Sequence, residues 1–473
     1  FTTATDTFNT AVGHAAGGSV TTGTQNTIVG GLAGDAITTG SQNVAIGYDA
    51  LGSEDAASFN VAIGREALKT QNGGEYNVAI GRTAGMLITT GIRNVIIGGN
   101  AGDALTDADH NVAIGYQALS SDTLGSRAIA IGHNALVNQN FTTATDSYNI
   151  GIGYSAGDAT TTGQQNTFIG GLAGELNTTG QRNVFLGTFA GDAITEGQQN
   201  TALGRAALTT DTLGSRSVAV GTDALSVLNL TTATNSYNVA VGHSAGAALT
   251  TGIQNVLLGG LAGDSLTDAD FNVAIGTSAL ATDTLGSRSV AVGISALATQ
   301  NHTTATDVYN TCVGALAGTS ITDAVRNTII GGLAGDAITS ADFNVAVGYG
   351  ALSSEILGER AVAIGYHALL TQQRTTASQS NNVAIGFQAG ANVTTGDENV
   401  FIGSDAGSGM TNAANCVIVG FSSSASAFNG NGQIVIGHDI TGGGNNTVRF
   451  GTTAGGTATL SLDGSDTSWA AAS

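Results

Sequence analysis

The chain has 473 residues, including 71 glycines and no proline, and it carries a formal net charge of −21 at pH 7. The lack of proline excludes a collagen helix, and a composition of 41% hydrophobic and only 10% charged residues is too apolar for a disordered coil. The acidity argues against nucleic acid as a partner, because phosphate binding relies on clusters of lysine and arginine, and no apolar run approaches the ~20 residues that membrane insertion requires.

The first predicted element is a short apolar string that ends in glycine, TAVG at residues 10–13, and variants of this string recur along the chain. We call each closing glycine a zero glycine and each stretch from one zero glycine to the next a coil. The zero glycines are residues 13, 30, 47, 64, 81, 98, 115, 132, 153, 170, 187, 204, 221, 242, 259, 276, 293, 314, 331, 348, 365, 386, 403, 420, 437 and 451.

The spacing of the zero glycines indicates a solenoid. The steps are 17 residues long, apart from four steps of 21 and a last one of 14. The short β-branched run before each zero glycine predicts a buried strand, while the glycine and a TTG-like segment predict two bends. We therefore predict an all-β parallel β-solenoid of 17-residue coils over residues 1–451, on the order of 120 Å long at ~4.8 Å per coil. The lack of proline fits, because proline cannot donate to a strand ladder.

Two positions, counted from the zero glycine, are nearly constant. Position +3 is alanine in the first 23 coils, which predicts a core with room only for a methyl group. Position −4 is asparagine in 19 of the 26 strings, for example at Asn43 and Asn60. Identical amides stacked one above the other predict a hydrogen-bonded ladder that also satisfies the turn backbone.

Position +4 alternates in pairs of glycine and leucine, as in Gly17, Gly34, Leu51 and Leu68. The 21-residue steps follow the second leucine of a pair, so the usual module is three coils of 17 and one of 21 residues, or 72 in all. A slim coil of Ala, Val, Ile and Gly leaves an apolar face open to water, which favours association. We interpret the Gly and Leu positions as packing against neighbouring copies and expect a homotrimer, although periodicity alone does not determine the number.

Position −5 carries many aromatic and arginine side chains. Rings and guanidinium groups in one column can stack with cation–π character. Two interpretations are open: a ladder that clamps coils or subunits together, or a stripe that contacts glycans. The candidate residues are Phe59, Tyr76, Arg93, Arg127, Tyr148, Arg216, Tyr237, Arg288, Tyr309 and Arg360.

Catalytic, metal and cofactor motifs do not stand out in the sequence. The seven histidines are spread over many coils, and the acids of the GGLAGD strings lack the nine-residue spacing of calcium-binding repeats. Cys312 and Cys416 are far apart and are predicted to be small buried side chains without a disulfide. We therefore predict that the protein is not an enzyme and has neither a catalytic residue, a metal nor a cofactor.

The strings NVAIG…AL and NTIIGGLAG resemble the repeats of trimeric autotransporter adhesin heads, which are left-handed parallel β-rolls, and look closer still to the collar and shaft repeats of bacteriophage tail fibres. The resemblance covers residues 1–451, although the 17-residue unit departs from the shorter autotransporter repeat. It implies a homotrimeric tail-fibre shaft, extracellular in the virion, that mediates host-surface attachment. The implied partners are tail or baseplate proteins upstream and a host glycan or protein; the alternative is an adhesin head on a bacterial cell surface.

Residues 452–473 are predicted to be a C-terminal β transition or cap. The stretch TATLSLDGSDTSW reads as an alternating strand with an Asp-Gly turn. It resembles the end of tail fibres and spikes that carry a C-terminal intramolecular chaperone, which drives trimer assembly and then cuts itself off after a serine. Ser473 stands where that serine would be, so the resemblance implies an autocleaved mature end, with a simple truncation as the alternative.

Overall fold

The chain folds as a parallel β-solenoid in a computed structural model that describes residues 6–461. Within these residues the regular structure is all β, without a helix, and the coils are about 17 residues long. The predicted fold class is thus confirmed. Two compact units, Phe1–Asn238 and Val239–Ser473, are described separately below. In residues 6–461 no helix is long and apolar enough to cross a membrane.

The first unit contains seventeen described strands. They are β1 Thr10–Val12, β2 Thr27–Val29, β3 Val44–Ile46, β4 Val61–Ile63, β5 Val78–Ile80, β6 Val95–Ile97, β7 Val112–Ile114, β8 Gly125–Ser126, β9 Ile129–Ile131, β10 Thr145–Asp146, β11 Ile150–Ile152, β12 Thr167–Ile169, β13 Val184–Leu186, β14 Thr201–Leu203, β15 Gly214–Ser215, β16 Val218–Val220 and β17 Thr234–Asn235.

The second unit contains eighteen described strands. They are β18 Val239–Val241, β19 Val256–Leu258, β20 Val273–Ile275, β21 Gly286–Ser287, β22 Val290–Val292, β23 Thr306–Asp307, β24 Thr311–Val313, β25 Thr328–Ile330, β26 Val345–Val347, β27 Gly358–Glu359, β28 Val362–Ile364, β29 Ser378–Gln379, β30 Val383–Ile385, β31 Val400–Ile402, β32 Val417–Val419, β33 Ile434–His438, β34 Thr447–Thr452 and β35 Gly456–Ser461.

Strand pairing follows the sequence repeat. In the first unit Val44 of β3 lies opposite Val61 of β4, one 17-residue step away, and β9 pairs with β11 across a 21-residue step. The long step also adds a small parallel pair, β8 with β10. In the second unit β34 pairs in antiparallel fashion with β35, which is the strand predicted near the C-terminus. Its predicted Asp-Gly turn lies outside the described residues.

From β2 to β32, the middle residue of each three-residue strand is buried inside the coil. Ala45 is fully buried, whereas Val44 and Ile46 on either side of it are half-buried. Position +3 is also fully buried from Ala33 to Ala406, which confirms the predicted methyl-sized site. Cys312 is likewise at a strand centre, and both cysteines are buried and unpaired, as predicted.

The leucines at position +4 point into their own coil, so the prediction that they face neighbouring chains is wrong. Leu51 and Leu119 are completely buried. The strands just before these two leucines have alanine at their centres, whereas the strand just before a glycine at position +4 can have a large residue there. A Cβ added to Gly174 would lie 2.6 Å from the ring of Phe168. The alternation therefore balances volume inside the coil, as close packing requires.

The asparagines at position −4 form the predicted ladder. Asn43 donates its backbone N–H to Asn26 Oδ1 at 2.9 Å, and Asn43 Oδ1 accepts the N–H of Asn60 at 2.9 Å. Asn43 Nδ2 donates to the carbonyl of Ala57, also at 2.9 Å. The ladder is confirmed, with the difference that the link from coil to coil runs through a backbone N–H. Each amide thereby satisfies buried backbone groups that would otherwise lack a partner.

Candidate functional site

The predicted column at position −5 has an unusual backbone. Every one of its ten candidate residues has a positive φ, from +50° at Tyr148 to +65° at Phe59. This left-handed conformation costs about 1–2 kcal/mol for a residue with a Cβ and is normally occupied by glycine. Yet glycine occupies position −5 only at Gly432. The same left-handed backbone recurs at positions +2 and +4, for example at Asp49 and Leu51, so it belongs to the repeated coil as a whole.

In the first unit the column forms contacts from one coil to the next. The rings of Phe59 and Tyr76 stack with centroids 4.9 Å apart and planes 1° from parallel. The Arg216 guanidinium lies 5.5 Å from the centre of the Tyr237 ring and donates to its hydroxyl at 2.5 Å. The remaining members make related contacts: Arg127 lies 5.8 Å from the Tyr148 ring and pairs with Asp146 at 2.9 Å, and Arg93 approaches His110 at 3.5 Å.

In the second unit Arg288 is the best-connected member of the column. Its guanidinium lies 4.8 Å from the centre of the Phe271 ring on one side and 5.8 Å from that of Tyr309 on the other. Its Nε pairs with Asp307 at 2.8 Å. Arg360 shares the left-handed backbone, with φ +62°, but the described residues give its side chain no ring partner. The structure thus brings most candidates together in neighbouring pairs rather than in one pocket.

These contacts determine what the column can offer a ligand. A sugar stacks on the face of an aromatic ring, but one face of Phe59 and one of Tyr76 are already covered by each other. Tyr237 and Tyr309 still expose 47% and 50% of their surface. The observed contacts join neighbouring coils, and the ring surface that stays exposed is the part that remains for a partner.

Alanine substitution separates the clamp from the glycan stripe. We expect Arg216→Ala or Tyr237→Ala to lower the local free energy of unfolding by about 1 kcal/mol, because an exposed cation–π contact is worth about 0.5–1 kcal/mol and the hydrogen bond adds to it. Hydrogen exchange of residues 199–237 measures this change, and the double variant should lose less than the sum of the two.

Tyr237→Gly is the matched control, since glycine also removes the ring but accepts the left-handed backbone. It should be more stable than Tyr237→Ala by about 1 kcal/mol. Unchanged exchange in all three variants, together with lost binding to bacterial cells, would contradict the clamp and support the glycan stripe.

A second column, at position +7, was not predicted. The coil with the first leucine of each pair has a fully buried acid at this position, and the coil after it has a buried glutamine in four of five cases. The acid–glutamine pairs are Glu54 with Gln71, Asp122 with Gln139, Asp283 with Gln300 and Glu355 with Gln372, while Asp211 is followed by Leu228. The signal was present in the sequence as an acid and a glutamine 17 residues apart.

The buried acids hold the turns of their own and the next coil. Asp122 accepts the N–H of Gly125 at 3.1 Å and that of Phe141 at 3.0 Å, and Gln139 Nε2 donates to its other oxygen at 2.6 Å. Burial raises the pKa of Asp122, and the bonds from Gln139, Phe141 and Gly125 offset part of the rise. These carboxylates are therefore structural acceptors within the coil.

Asp283 has an additional partner in His302. Burial disfavours its charge, but the pairing with His302 and the bond from Gln300 outweigh burial and hold the pKa of Asp283 below its usual value. Nδ1 of His302 lies 3.7 Å from the carboxylate. Burial disfavours the charged imidazole too, but Asp283 raises its pKa above the usual value. The favourable pairing therefore weakens as the pH rises through the pKa of His302.

The remaining predictions about sites concern the C-terminus and metals. Ser473, the predicted cleavage end, lies outside the described residues. In residues 6–461 the acids, histidines and cysteines do not converge in any group of three that could hold a metal ion. A comparison with protein-family models and with curated protein sequences finds no match to this chain.

Proposed function

We propose that the protein is a non-enzymatic structural fibre, the homotrimeric shaft of a bacteriophage tail fibre that mediates attachment to the host surface. The observation that carries this proposal is the near-identity of successive coils in both units, in strand register and in the asparagine ladder. A repeated coil provides extension and stiffness, since each coil contacts mainly its neighbours.

The use of the carboxylates supports a role without catalysis. A catalytic acid must reach a substrate, whereas the acids at position +7 are buried and bind backbone amides. Glu355, for example, accepts the backbone N–H groups of Ile356, Gly358 and Arg374, at 2.9, 2.7 and 3.0 Å. The hydrogen-bonding capacity of these carboxylates is thus used to hold the backbone of the turns.

An apolar row at position −1 supports association with further copies. The side chain before the zero glycine points away from the coil: it is half-buried in most coils, as at Ile46, and reaches 39% exposure at Ile330 and 38% at Ile385. The row repeats with the coil spacing, so a second copy of this chain offers a surface of the same period. It replaces the Gly and Leu positions as the candidate face between subunits.

Sedimentation of the full chain tests this proposal. We expect a mass of three times the 46.6 kDa chain and fibres in electron micrographs that bind to bacterial cells. Ile330→Asp places a charge in the apolar row and should shift the protein to monomers, because burying an unpaired charge costs several kcal/mol.

Thr304→Asp is the control, since Thr304 is exposed on a long-step loop of the same unit. It should leave the trimer intact. Circular dichroism shows whether Ile330→Asp retains the β-structure of the original chain. A wild-type chain that sediments as a monomer at all concentrations, or a trimer that binds no cell surface, would contradict the proposal.

A further inference from the structure

Asp211 lacks a hydrogen-bond donor that the other four acids at position +7 have. Asp211 accepts the N–H of Gly214 at 3.1 Å and that of Leu230 at 3.0 Å with one oxygen, Oδ1. Its other oxygen, Oδ2, is buried and has no hydrogen-bond partner among the described residues. In the equivalent coils a glutamine Nε2 donates to this second oxygen. The chain has Leu228 where that glutamine would be.

Apolar side chains occupy the same position in the adjoining coils. Ile194 is at position +7 of the coil before and Leu228 at position +7 of the coil after, and both are fully buried. An ionised carboxylate oxygen that loses water and gains no donor is strongly disfavoured. This cost is avoided when Asp211 stays protonated, or when the coil opens and water reaches the carboxylate.

The charged groups of these three coils have other partners or face water. Arg205 bonds to Asp223 at 3.3 Å, Asp192 accepts the hydroxyl of Thr209, and Glu196 is exposed. The other two titratable groups, Arg216 and Tyr237, bond to each other. None of them contributes to the shift at Asp211, where burial is opposed only by the N–H groups of Leu230, Gly214 and Thr212.

We propose that residues 204–230 form a pH-sensitive weak point of the solenoid, which is closed while Asp211 is protonated and opens more readily once Asp211 is ionised. Among the five buried acids at position +7, Asp211 is the one whose second oxygen has no glutamine donor, because Leu228 stands where the glutamine would be. The proposal does not depend on the function proposed above.

The direction of the effect follows from proton binding. Burial raises the pKa of Asp211 to about 6 in the folded chain, from an ordinary value of 3.8. Between these values the folded coil binds more protons than the opened one, so its stability falls as the pH rises and levels off above the folded pKa. From pH 5 to pH 8 the opening equilibrium should therefore rise by about tenfold.

Hydrogen exchange of the full chain, corrected for intrinsic rates, tests the proposal at pH 5 and pH 8. In the wild type, amides of residues 211–230 should show the tenfold increase in opening. Asp211→Asn, which cannot ionise, should abolish it. Leu228→Gln restores the missing donor and should reduce the increase at least several-fold.

Gln139→Leu is the matched gain-of-effect variant, because it removes the donor from Asp122 in an otherwise equivalent pair. It should create a similar pH dependence of opening in residues 122–141 and leave the pH dependence of opening in residues 211–230 unchanged. The proposal is overturned if the opening of 211–230 in the wild type is the same at both pH values, or if Asp211→Asn retains the dependence.

Discussion

Gly170→Ala will prevent the coils on either side of it from stacking. Gly170 is a zero glycine with φ +136°, a region essentially restricted to glycine, which alone costs about 1–3 kcal/mol. A Cβ at this position would also lie 2.6 Å from the backbone C and O of Gly187 in the next coil. Backbone atoms cannot swing aside as a flexible side chain can. We therefore expect a loss of about 3–5 kcal/mol in the local free energy of unfolding.

Gly171 provides a control one residue away. A Cβ there would meet no atom within 4 Å, and its φ is not in the left-handed region. Equivalent coils have Tyr154 and Thr188 at this position. Gly171→Ala should thus be neutral or stabilise by about 0.4–1 kcal/mol. Hydrogen exchange of residues 150–187 compares the two variants, and equal protection in both would show that the strand spacing is not limited by the zero glycine.

The fold was predictable because the same local signals occur in coil after coil. A single VAI triplet such as Val44–Ile46 is too short to predict a strand with any specificity. Its recurrence at a constant step leaves only a structure in which identical residues stack, and the parallel register follows directly. The asparagine column was predictable for the same reason, since a stacked amide has few other roles.

It was harder to predict which side chains face the core than to predict the strand register. A column in the sequence shows which residues share a position, but not whether that position faces the core. Leu51 and the apolar residue at position −1 look alike in sequence, and only burial distinguishes them. Side-chain volume contained the missing information: the strand just before Leu51 has Ala45 at its centre, whereas the strand just before Gly174 has Phe168. Comparing the two columns would have placed the leucine inside.

The residue types of the candidate site were predicted, but their backbone conformation and their buried hydrogen bonds were not. Rings and guanidinium groups at position −5 were evident, whereas their left-handed backbone was not, because residues such as Tyr237 normally avoid it. The acids at position +7 were missed since they recur once per module rather than once per coil. The unpartnered oxygen of Asp211 depends on burial and on Leu228 together, which no single position reveals.

Asn43→Ala will open the first unit locally even though it removes only a small amount of volume. Asn43 is fully buried, and its side chain holds the N–H of Asn60 and the carbonyl of Ala57. Alanine leaves both backbone groups buried without a partner, at about 1–3 kcal/mol each. We expect the free energy of opening of residues 41–62, measured by hydrogen exchange, to fall by about 2–4 kcal/mol.

Asn72→Ala is the control for this substitution. Asn72 lies in the same unit but is exposed, and its backbone N–H bonds to Thr89, so the loss of its side chain should change the opening free energy by less than about 0.5 kcal/mol. The loss at Asn43 should extend to the coils directly before and after it, because each amide links two neighbours, and then fade. A loss spread evenly over the whole first unit would instead mean that its coils open together, and that the ladder acts as one cooperative element.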